Sequence, residues 1–176
     1  MHGIVHKRLQ AFVEERADVE WETVRDEAGI EPKLYLAVSH YPDEEFAAAM
    51  AALAAAEDRA VDDLEREFGA FLAPAVLDTF HVHLKPEWSY LDLLARAPGI
   101  LSAVEQAHGD SALPALETAR EGETATVSYS STRQRCSMAA GVLEGLGAAM
   151  DADAVVTEVA CVHDGADRCR FSVELQ

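Results

Sequence analysis

The chain has 176 residues, of which 32 are acidic and 14 basic, so its formal net charge at pH 7 is −18. Such a charge repels a phosphate backbone and excludes nucleic acid as a partner. No apolar run approaches the ~20 residues that span a bilayer. The start of the chain lacks the apolar core of a signal peptide, so we expect a cytoplasmic protein with no membrane partner. Three cysteines, an odd number, are typical there of thiols or metal ligands rather than disulfides.

The first part of the chain has the pattern of consecutive helices. Apolar residues within 4–13 fall on one helical stripe, and acidic residues around Trp21 are typical of the first turn of a second helix. The YPDEE stretch at 41–45 precedes a third, alanine-rich helix. A fourth is expected to end before Pro74, because proline disfavours a helical residue ahead of it. The residues that we assign to packing include Phe12, Trp21 and Met50.

Helix, strand and hairpin signals alternate in the remainder. The region 86–105 is helical in pattern, but Pro98-Gly99 interrupts it and predicts a kink. Residues 124–130 alternate polar and apolar side chains, as a half-buried strand does. A helical stripe follows at 138–150, and a hairpin then extends over 154–175. The order predicts an α+β fold, with helices first and strands later.

The three cysteines lie where these elements could converge. Cys161 and Cys169 are on the two arms of the hairpin, while Cys136 starts the helix that follows the neighbouring strand. Thiolates at about 2.3 Å suit tetrahedral zinc. Three small buried hydrophobes, or one redox pair, are the alternatives. The fourth ligand is open, because His163 shares a face with Cys161 in a flat strand whereas Glu158 would need a β-bulge to join them.

The stretch YSSTRQRC at 129–136 connects that strand to that helix. It brings a phenol, hydroxyls, a guanidinium and a thiol into one short segment. On the residues alone, the plainest interpretation is a strand end whose hydroxyls cap the next helix and whose arginine is solvated.

Several of these stretches together resemble one family, the heme-nitric oxide/oxygen binding domain (H-NOX, or HNOB). The opening MHGIV and the YPDEE at 41–45 are similar to the family's own stretches. Most specific is Tyr129-x-Ser131-x-Arg133, which matches the family's Tyr-x-Ser-x-Arg motif, whose side chains hold the porphyrin propionates. The resemblance therefore implies an anion clamp, in which two hydroxyls and a guanidinium bind carboxylates.

The C-terminal segment 158–171 resembles zinc-bearing H-NOX domains and the related 4-vinyl reductase sensor domains. Both have a cysteine pair with seven residues between, an upstream cysteine, and a fourth ligand three residues before the pair, a spacing that this chain shares. The resemblance thus implies a zinc site made by Cys136, Glu158, Cys161 and Cys169. Strand geometry leaves His163 as the substitute fourth ligand.

The chain departs from the family at the iron ligand, which is a histidine in the helix before a characteristic proline. The segment 89–102 can be laid on that helix without a gap, and Leu101 then occupies the histidine position. Leucine has no lone pair for iron, so the resemblance implies a divergent member whose heme is not coordinated in the family manner. His81 and His83 lie before the helix and His108 lies about two turns beyond, and we expect all three to be surface or capping residues.

The expected architecture is a single H-NOX-like domain over residues 1–176. Its helical lobe would cover about residues 1–65, and about 66–176 would form an α/β lobe of helices packed on an antiparallel sheet, with the zinc site. We expect no catalytic residue, because the sequence has no phosphate-cradling glycine loop and no nucleophile elbow.

The expected function is a heme-independent sensory or ligand-binding module with a structural zinc. The sequence contains no kinase, cyclase or DNA-binding segment, so we expect signalling in trans to a partner of the kinase or cyclase type. A small apolar molecule with an acidic end could enter the clamp cavity, unless side chains fill that cavity. A homodimer is left open. The alternative is a heme-based NO/O2 sensor whose iron uses a non-standard ligand.

Overall fold

The computed structural model describes residues 1–16, 18–108 and 113–176. The chain divides into two compact units, Met1–Phe68 and Gly69–Gln176. The sequence pattern puts the lobe boundary a few residues earlier, at about residue 65. Within the described ranges, no helix is both long and apolar enough to cross a membrane.

The first unit is helical. It contains α1 (Gly3–Glu14), α2 (Trp21–Glu27), α3 (Asp43–Glu57) and the beginning of α4 (Val61–Phe80). The first turn of α3 is acidic, which favours its start because the positive end of the helix dipole lies there. The predicted packing residues are buried, which confirms that prediction: Phe12, Trp21 and Met50.

Helix α4 does not end before Pro74, so that prediction was wrong. The helix continues through the proline to Phe80. Leu72 and Ala73 are buried immediately before Pro74, which is itself exposed. The proline ring therefore lies on the solvent side, and burial of the neighbouring residues outweighs the one hydrogen bond that the missing N–H costs.

Helix α5 (Tyr90–His108) is likewise continuous and includes Pro98. The predicted interruption at Pro98-Gly99 is therefore not observed as a break in the helix. Leu94 is buried on one side of the proline, and Ile100 packs against the core on the other. Packing on both sides holds the helix together across the proline.

The second unit contains one antiparallel sheet of four strands. The strand order is β1-β2-β4-β3, and the predicted strand at 124–130 and the predicted hairpin are both confirmed. The first strand was not predicted. The strands are β1 (Ala115–Glu121), β2 (Thr124–Ser130), β3 (Ala154–Ala160) and β4 (Cys169–Leu175).

Helices α5 and α6 (Cys136–Ala149) pack on one face of this sheet. The buried strand residues alternate along β2 and β4, and they meet buried residues of both helices in one core. The Tyr90 hydroxyl donates a hydrogen bond to the Leu143 carbonyl oxygen at 2.7 Å, which ties the start of α5 to α6. The predicted α+β class, with helices on an antiparallel sheet, is confirmed.

Helices α4 and α6 approach each other closely at a glycine. A Cβ atom added to Gly145 of α6 would lie 2.5 Å from the Ala70 carbonyl oxygen of α4. No side chain fits there, so glycine is required for this close approach. The second half of α6 is thereby held against α4 within the second unit.

Candidate metal site

Four side chains from three elements come together at one end of the sheet. They are Cys136 at the start of α6, Glu158 near the end of β3, Cys161 just after β3, and Cys169 at the start of β4. One ligand atom from each lies within 4.8 Å of the others, so the group could hold a metal ion. These are the four residues that the resemblance assigns to zinc.

The spacing of the sulfur atoms fits a tetrahedral ion. Two ligands at about 2.3 Å from a tetrahedral centre are about 3.8 Å apart. The Sγ atoms of Cys161 and Cys169 are 3.9 Å apart, and no disulfide joins the three cysteines. All three cysteines are buried, so the donor set combines soft thiols with one carboxylate, as zinc accepts.

A β-bulge brings Glu158 to this face of the sheet. Glu158 pairs with Phe171, and Ala160 pairs with Arg170, so the extra residue is Val159. Paired residues point to the same face, and Phe171 is buried in the core. Without the bulge, Glu158 and Cys161 would lie on opposite faces. The structural condition that sequence reasoning set for a glutamate ligand is therefore met.

His163, the substitute ligand, is not in the cluster. Its Nε2 atom lies 2.9 Å from the Gln134 carbonyl oxygen. The Cys136 thiol points at the same carbonyl, with Sγ 3.7 Å from the oxygen. His163 thus contacts the segment that leads into α6, two residues before a cysteine of the cluster.

Gln134 is a site residue that sequence reasoning missed. Its φ of 51° lies in the left-handed region, which costs a residue with a side chain of the order of 1 kcal/mol or more. That conformation forms the turn into α6, in which the Gln134 N–H donates to the Ser131 carbonyl at 3.1 Å. Only the polar, turn-rich character of the segment could have indicated it.

Burial governs the protonation of the cluster without metal. It raises the pKa of the Cys136 thiol, and the neighbouring Cys169 and Cys161 raise that pKa further. Burial is also the main cause that raises the pKa of Cys161, although a backbone hydrogen bond from His163 opposes it. A metal ion would reverse this preference, since thiolates are the form that binds zinc.

The cluster opens to solvent on the side of Glu158. A cavity of about 300 Å³ lies there, and its lining includes Glu158, Cys161 and Asp164. Asp164 is a second exposed carboxylate at this opening. Glu158 is exposed, whereas Cys136 and Cys169 are buried and Cys161 is at most partly accessible, so the carboxylate is the most accessible of the four ligand groups.

The predicted clamp residues lie at the other end of the same turn. Tyr129 is buried and pairs with Cys169 across β2 and β4. Its pKa is raised by burial, an effect that its side-chain hydrogen bond to Ser131 partly offsets. The Ser131 Oγ in turn accepts a hydrogen bond from the Arg133 backbone N–H at 3.2 Å. The motif therefore links the end of β2 to the turn before α6.

The remaining predicted positions are not brought to either site. Leu101 is half-buried within α5. His81 and His83 are exposed, as expected, and they lie in a 3-10 turn. The His81 Nδ1 atom lies 2.6 Å from the Asp78 carbonyl oxygen, which makes it a local capping contact.

Comparison with known proteins identifies the scaffold. The sequence profile of the family described as Haem-NO-binding (HNOB) matches residues 2–158. The chain belongs to this family. No curated protein matches the sequence at the significance required.

Solved H-NOX structures share the fold over the whole chain. An S. oneidensis H-NOX protein in the Fe(II)NO state is 21% identical with a TM-score of 0.88, covering 100% of this chain and 99% of that one. The unliganded Fe(II) H-NOX protein of K. algicida is 19% identical with a TM-score of 0.83, and the coverage is 100% and 97%. A mutant of T. tengcongensis H-NOX is 16% identical with a TM-score of 0.86, covering 100% and 98%. At these identities the likeness shows the fold alone.

Proposed function

We propose that this H-NOX protein is a sensory module that works without a histidine-ligated heme, carries a structural zinc, and passes its state to a partner protein. The observation that carries the proposal is Leu101 in α5, at the position that the resemblance assigns to the iron ligand. A leucine side chain offers no donor atom, so a heme there would lack its axial bond from α5.

The three histidines nearest to Leu101 in the sequence do not take its place in α5. His108 is the single histidine of α5, and it lies seven residues after Leu101. At 1.5 Å per residue this is about 10 Å along the helix. The exposed His81 and His83 lie in the turn before α5. The donor set of the described residues therefore does not fit a heme held in the family manner.

The clamp motif supports a structural role. Tyr129 belongs to the buried core, and the nearby Ser131 side chain partly offsets the effect of burial on its pKa. Ser131 is bonded in turn to the backbone of Arg133. These contacts favour the interpretation in which the motif ties strand to helix.

The metal site supports a structural zinc. Its donors come from the end of β3, the start of β4 and the start of α6, so a bound ion would fasten the hairpin to the helix. Three thiolates and a carboxylate leave no open position in a tetrahedral shell, which is the pattern of structural rather than catalytic zinc.

The proposed output is a partner protein of the kinase or cyclase type. The chain corresponds to the full length of the H-NOX structures that it matches, with 97–99% of those chains covered. In this proposal, the surface of that partner reads the conformational state of the domain. The rival proposal is a gas sensor with a non-standard iron ligand, which the family description and the Fe(II)NO state of the S. oneidensis protein favour.

Titration with hemin separates the two proposals. The purified wild-type protein should show at most a weak, broad band of nonspecific heme. Leu101→His returns an imidazole to the ligand position, and a five-coordinate ferrous spectrum in that variant alone would show that leucine is the block. Ile100→His is the matched control, because the neighbouring position points about 100° away around the helix.

A sharp Soret band with nitric oxide binding in the wild type would defeat the heme-free proposal. Replacement of His81, His83 and His108 in turn would then find the ligand. Survival of the band in all three variants would place the iron on a residue other than these histidines.

A further inference from the structure

A second cavity lies at the connection between α4 and α5, away from the metal site. Its volume is about 310 Å³, at the low end of the roughly 300–1,000 Å³ of small-molecule pockets. The end of α4, the 3-10 turn, the loop before α5 and the end of α6 all contribute to it. The lining residues are Leu77, His81, Leu84, Lys85, Pro86, Trp88, Leu93 and Met150.

The floor of this cavity is apolar and is part of the core. Leu93 is buried, and Leu77, Leu84 and Met150 pack against the core of the second unit. Trp88 adds a large half-exposed ring, with the Arg96 guanidinium carbon 4.8 Å from its centre. An apolar ligand body could therefore be covered without rearrangement of the core.

The loop that forms the rim is fixed by local hydrogen bonds. The Leu84 N–H donates to the His81 carbonyl at 3.1 Å, and the Trp88 N–H donates to the Lys85 carbonyl at 3.1 Å. Ser89 then caps α5 through Asp92, whose carboxylate lies 2.8 Å from the serine hydroxyl. The pocket is thus preformed, which reduces the ordering cost of binding.

The rim carries a cation, Lys85, that forms no ion pair with the described residues. Among the described residues, no carboxylate lies within ion-pair distance of Lys85, although the chain has 32 acidic and 14 basic residues. The nearest acids in sequence, Asp78 and Glu87, do not line the cavity. Asp92 is engaged by Arg96 and Arg120. Most other basic side chains are paired, as in Arg16, Arg25, Lys33, Arg59 and Arg168.

We propose that this pocket binds a small apolar monocarboxylate, with the carboxylate on Lys85 and the apolar body against Trp88 and the leucines. An ammonium beside an apolar floor matches a ligand with one negative end. The carboxylate of such a ligand can pair with the ammonium while its apolar part covers the adjacent floor of the pocket. His81, on the same rim, adds an imidazole within the pocket. This inference does not rest on the proposed function, since neither heme nor zinc takes part.

Octanoate is a suitable probe, because it carries one carboxylate and an apolar chain and does not absorb where tryptophan does. The chain has two tryptophans, so an amide NMR spectrum of ¹⁵N-labelled full-length protein contains two indole N–H signals. Titration should shift the Trp88 signal saturably and leave that of Trp21, in the first unit, unchanged. A Trp21→Phe variant assigns the two signals.

Variants at Lys85 test the charge. Lys85→Gln should weaken octanoate binding at least tenfold, and Lys85→Arg should keep it within about threefold. Lys7→Gln, a change at an exposed lysine of α1, is the matched control and should leave binding unchanged. The neutral analogue 1-octanol should bind at least tenfold more weakly than octanoate to the wild type.

The proposal is overturned if octanoate leaves the Trp88 signal in place, or if it shifts both indoles alike as nonspecific association does. Equal affinities of octanol and octanoate, or of Lys85→Gln and wild type, would show an apolar surface with no carboxylate recognition. A wild-type protein that binds heme but still passes the octanoate test would defeat only the proposed function.

Discussion

Two places in this H-NOX protein invite comparison, because the resemblance assigns a metal to each. At the cysteine cluster all four expected donors are present and come together from three elements. In α5 the resemblance puts Leu101 where the single donor is expected, and the helix is continuous there. The donor chemistry is complete in one place and missing in the other, although both lie in the second unit.

The difference follows from what each donor set does for the fold. The cluster joins β3, β4 and α6, and two unusual backbone features support it: the bulge at Val159 and the left-handed Gln134. Losing one ligand there would leave buried thiols and strained backbone without compensation. Leu101 is one helical residue among many, and leucine is a better helix former than histidine. A helix can therefore lose an iron ligand and remain folded.

The largest expected effect is the loss of the metal. Cys169→Ser should remove stoichiometric zinc and lower the free energy of unfolding by roughly 3–5 kcal/mol. This is well below the ~10–16 kcal/mol of zinc-finger peptides, because this domain has its own core. Elemental analysis and urea unfolding measure the two quantities, and a strong chelator should destabilise the wild type but not the variant.

Val173→Thr controls for the polarity that serine introduces. Val173 is fully buried in the same strand but is not a ligand, so its replacement should lower stability and leave the zinc content intact. The prediction is wrong if reduced wild-type protein contains no zinc, or if chelation leaves thiol reactivity unchanged. The cysteine cluster would then bind no metal, and it would not differ in this respect from the Leu101 position in α5.

A smaller effect decides the fourth ligand. Glu158→Ala should weaken zinc binding at least tenfold, about 1.4 kcal/mol, because it removes a donor from the shell. His163→Gln should change the affinity by less than about threefold, since the His163 side chain is bonded to the Gln134 carbonyl and not to a ligand atom. Competition with a chromophoric chelator measures both affinities. A larger loss of zinc affinity in His163→Gln than in Glu158→Ala would mean that His163, and not Glu158, is the fourth ligand. The β3 bulge would then have another role.

Sequence reasoning succeeds here where a pattern is local. Residues 124–130 alternate cleanly and form β2, and the hairpin arms and the start of α6 at Cys136 are also as predicted. By contrast, β1 has the sequence ALETARE, whose residues favour a helix. Within this strand, Leu116 and Thr118 are half-buried and the other five residues are exposed. Pairing along β2 makes it a strand, and charged side chains suit an edge position.

The candidate site shows the same limit. The spacing of the cysteines predicts their convergence, but strand periodicity alone favours His163 over Glu158 as the fourth ligand. The bulge that reverses this preference depends on pairing with β4, which no short stretch of β3 reveals. The Lys85 pocket had no sequence signal, because its lining comes from residues 77–93 and from Met150 at the end of α6.

The smallest expected effect tests whether α5 is the unbroken helix that carries Leu101. Gly99 follows Pro98 inside the helix, and a Cβ atom added there would meet nothing within 4 Å. Gly99→Ala should therefore stabilise the protein by about 0.5–1 kcal/mol, since alanine loses less backbone freedom in a helix. Gly145→Ala is the contrasting variant, because its Cβ would lie 2.5 Å from the Ala70 carbonyl oxygen and should cost about 1–3 kcal/mol. Urea unfolding of both variants measures the two changes.

A loss of stability in Gly99→Ala would mean that the chain needs glycine to bend after Pro98, so that Leu101 would not follow the axis of the first half of α5. The difference from the family at residue 101 would then involve the course of the helix, and not only the exchange of one side chain on an unchanged helix.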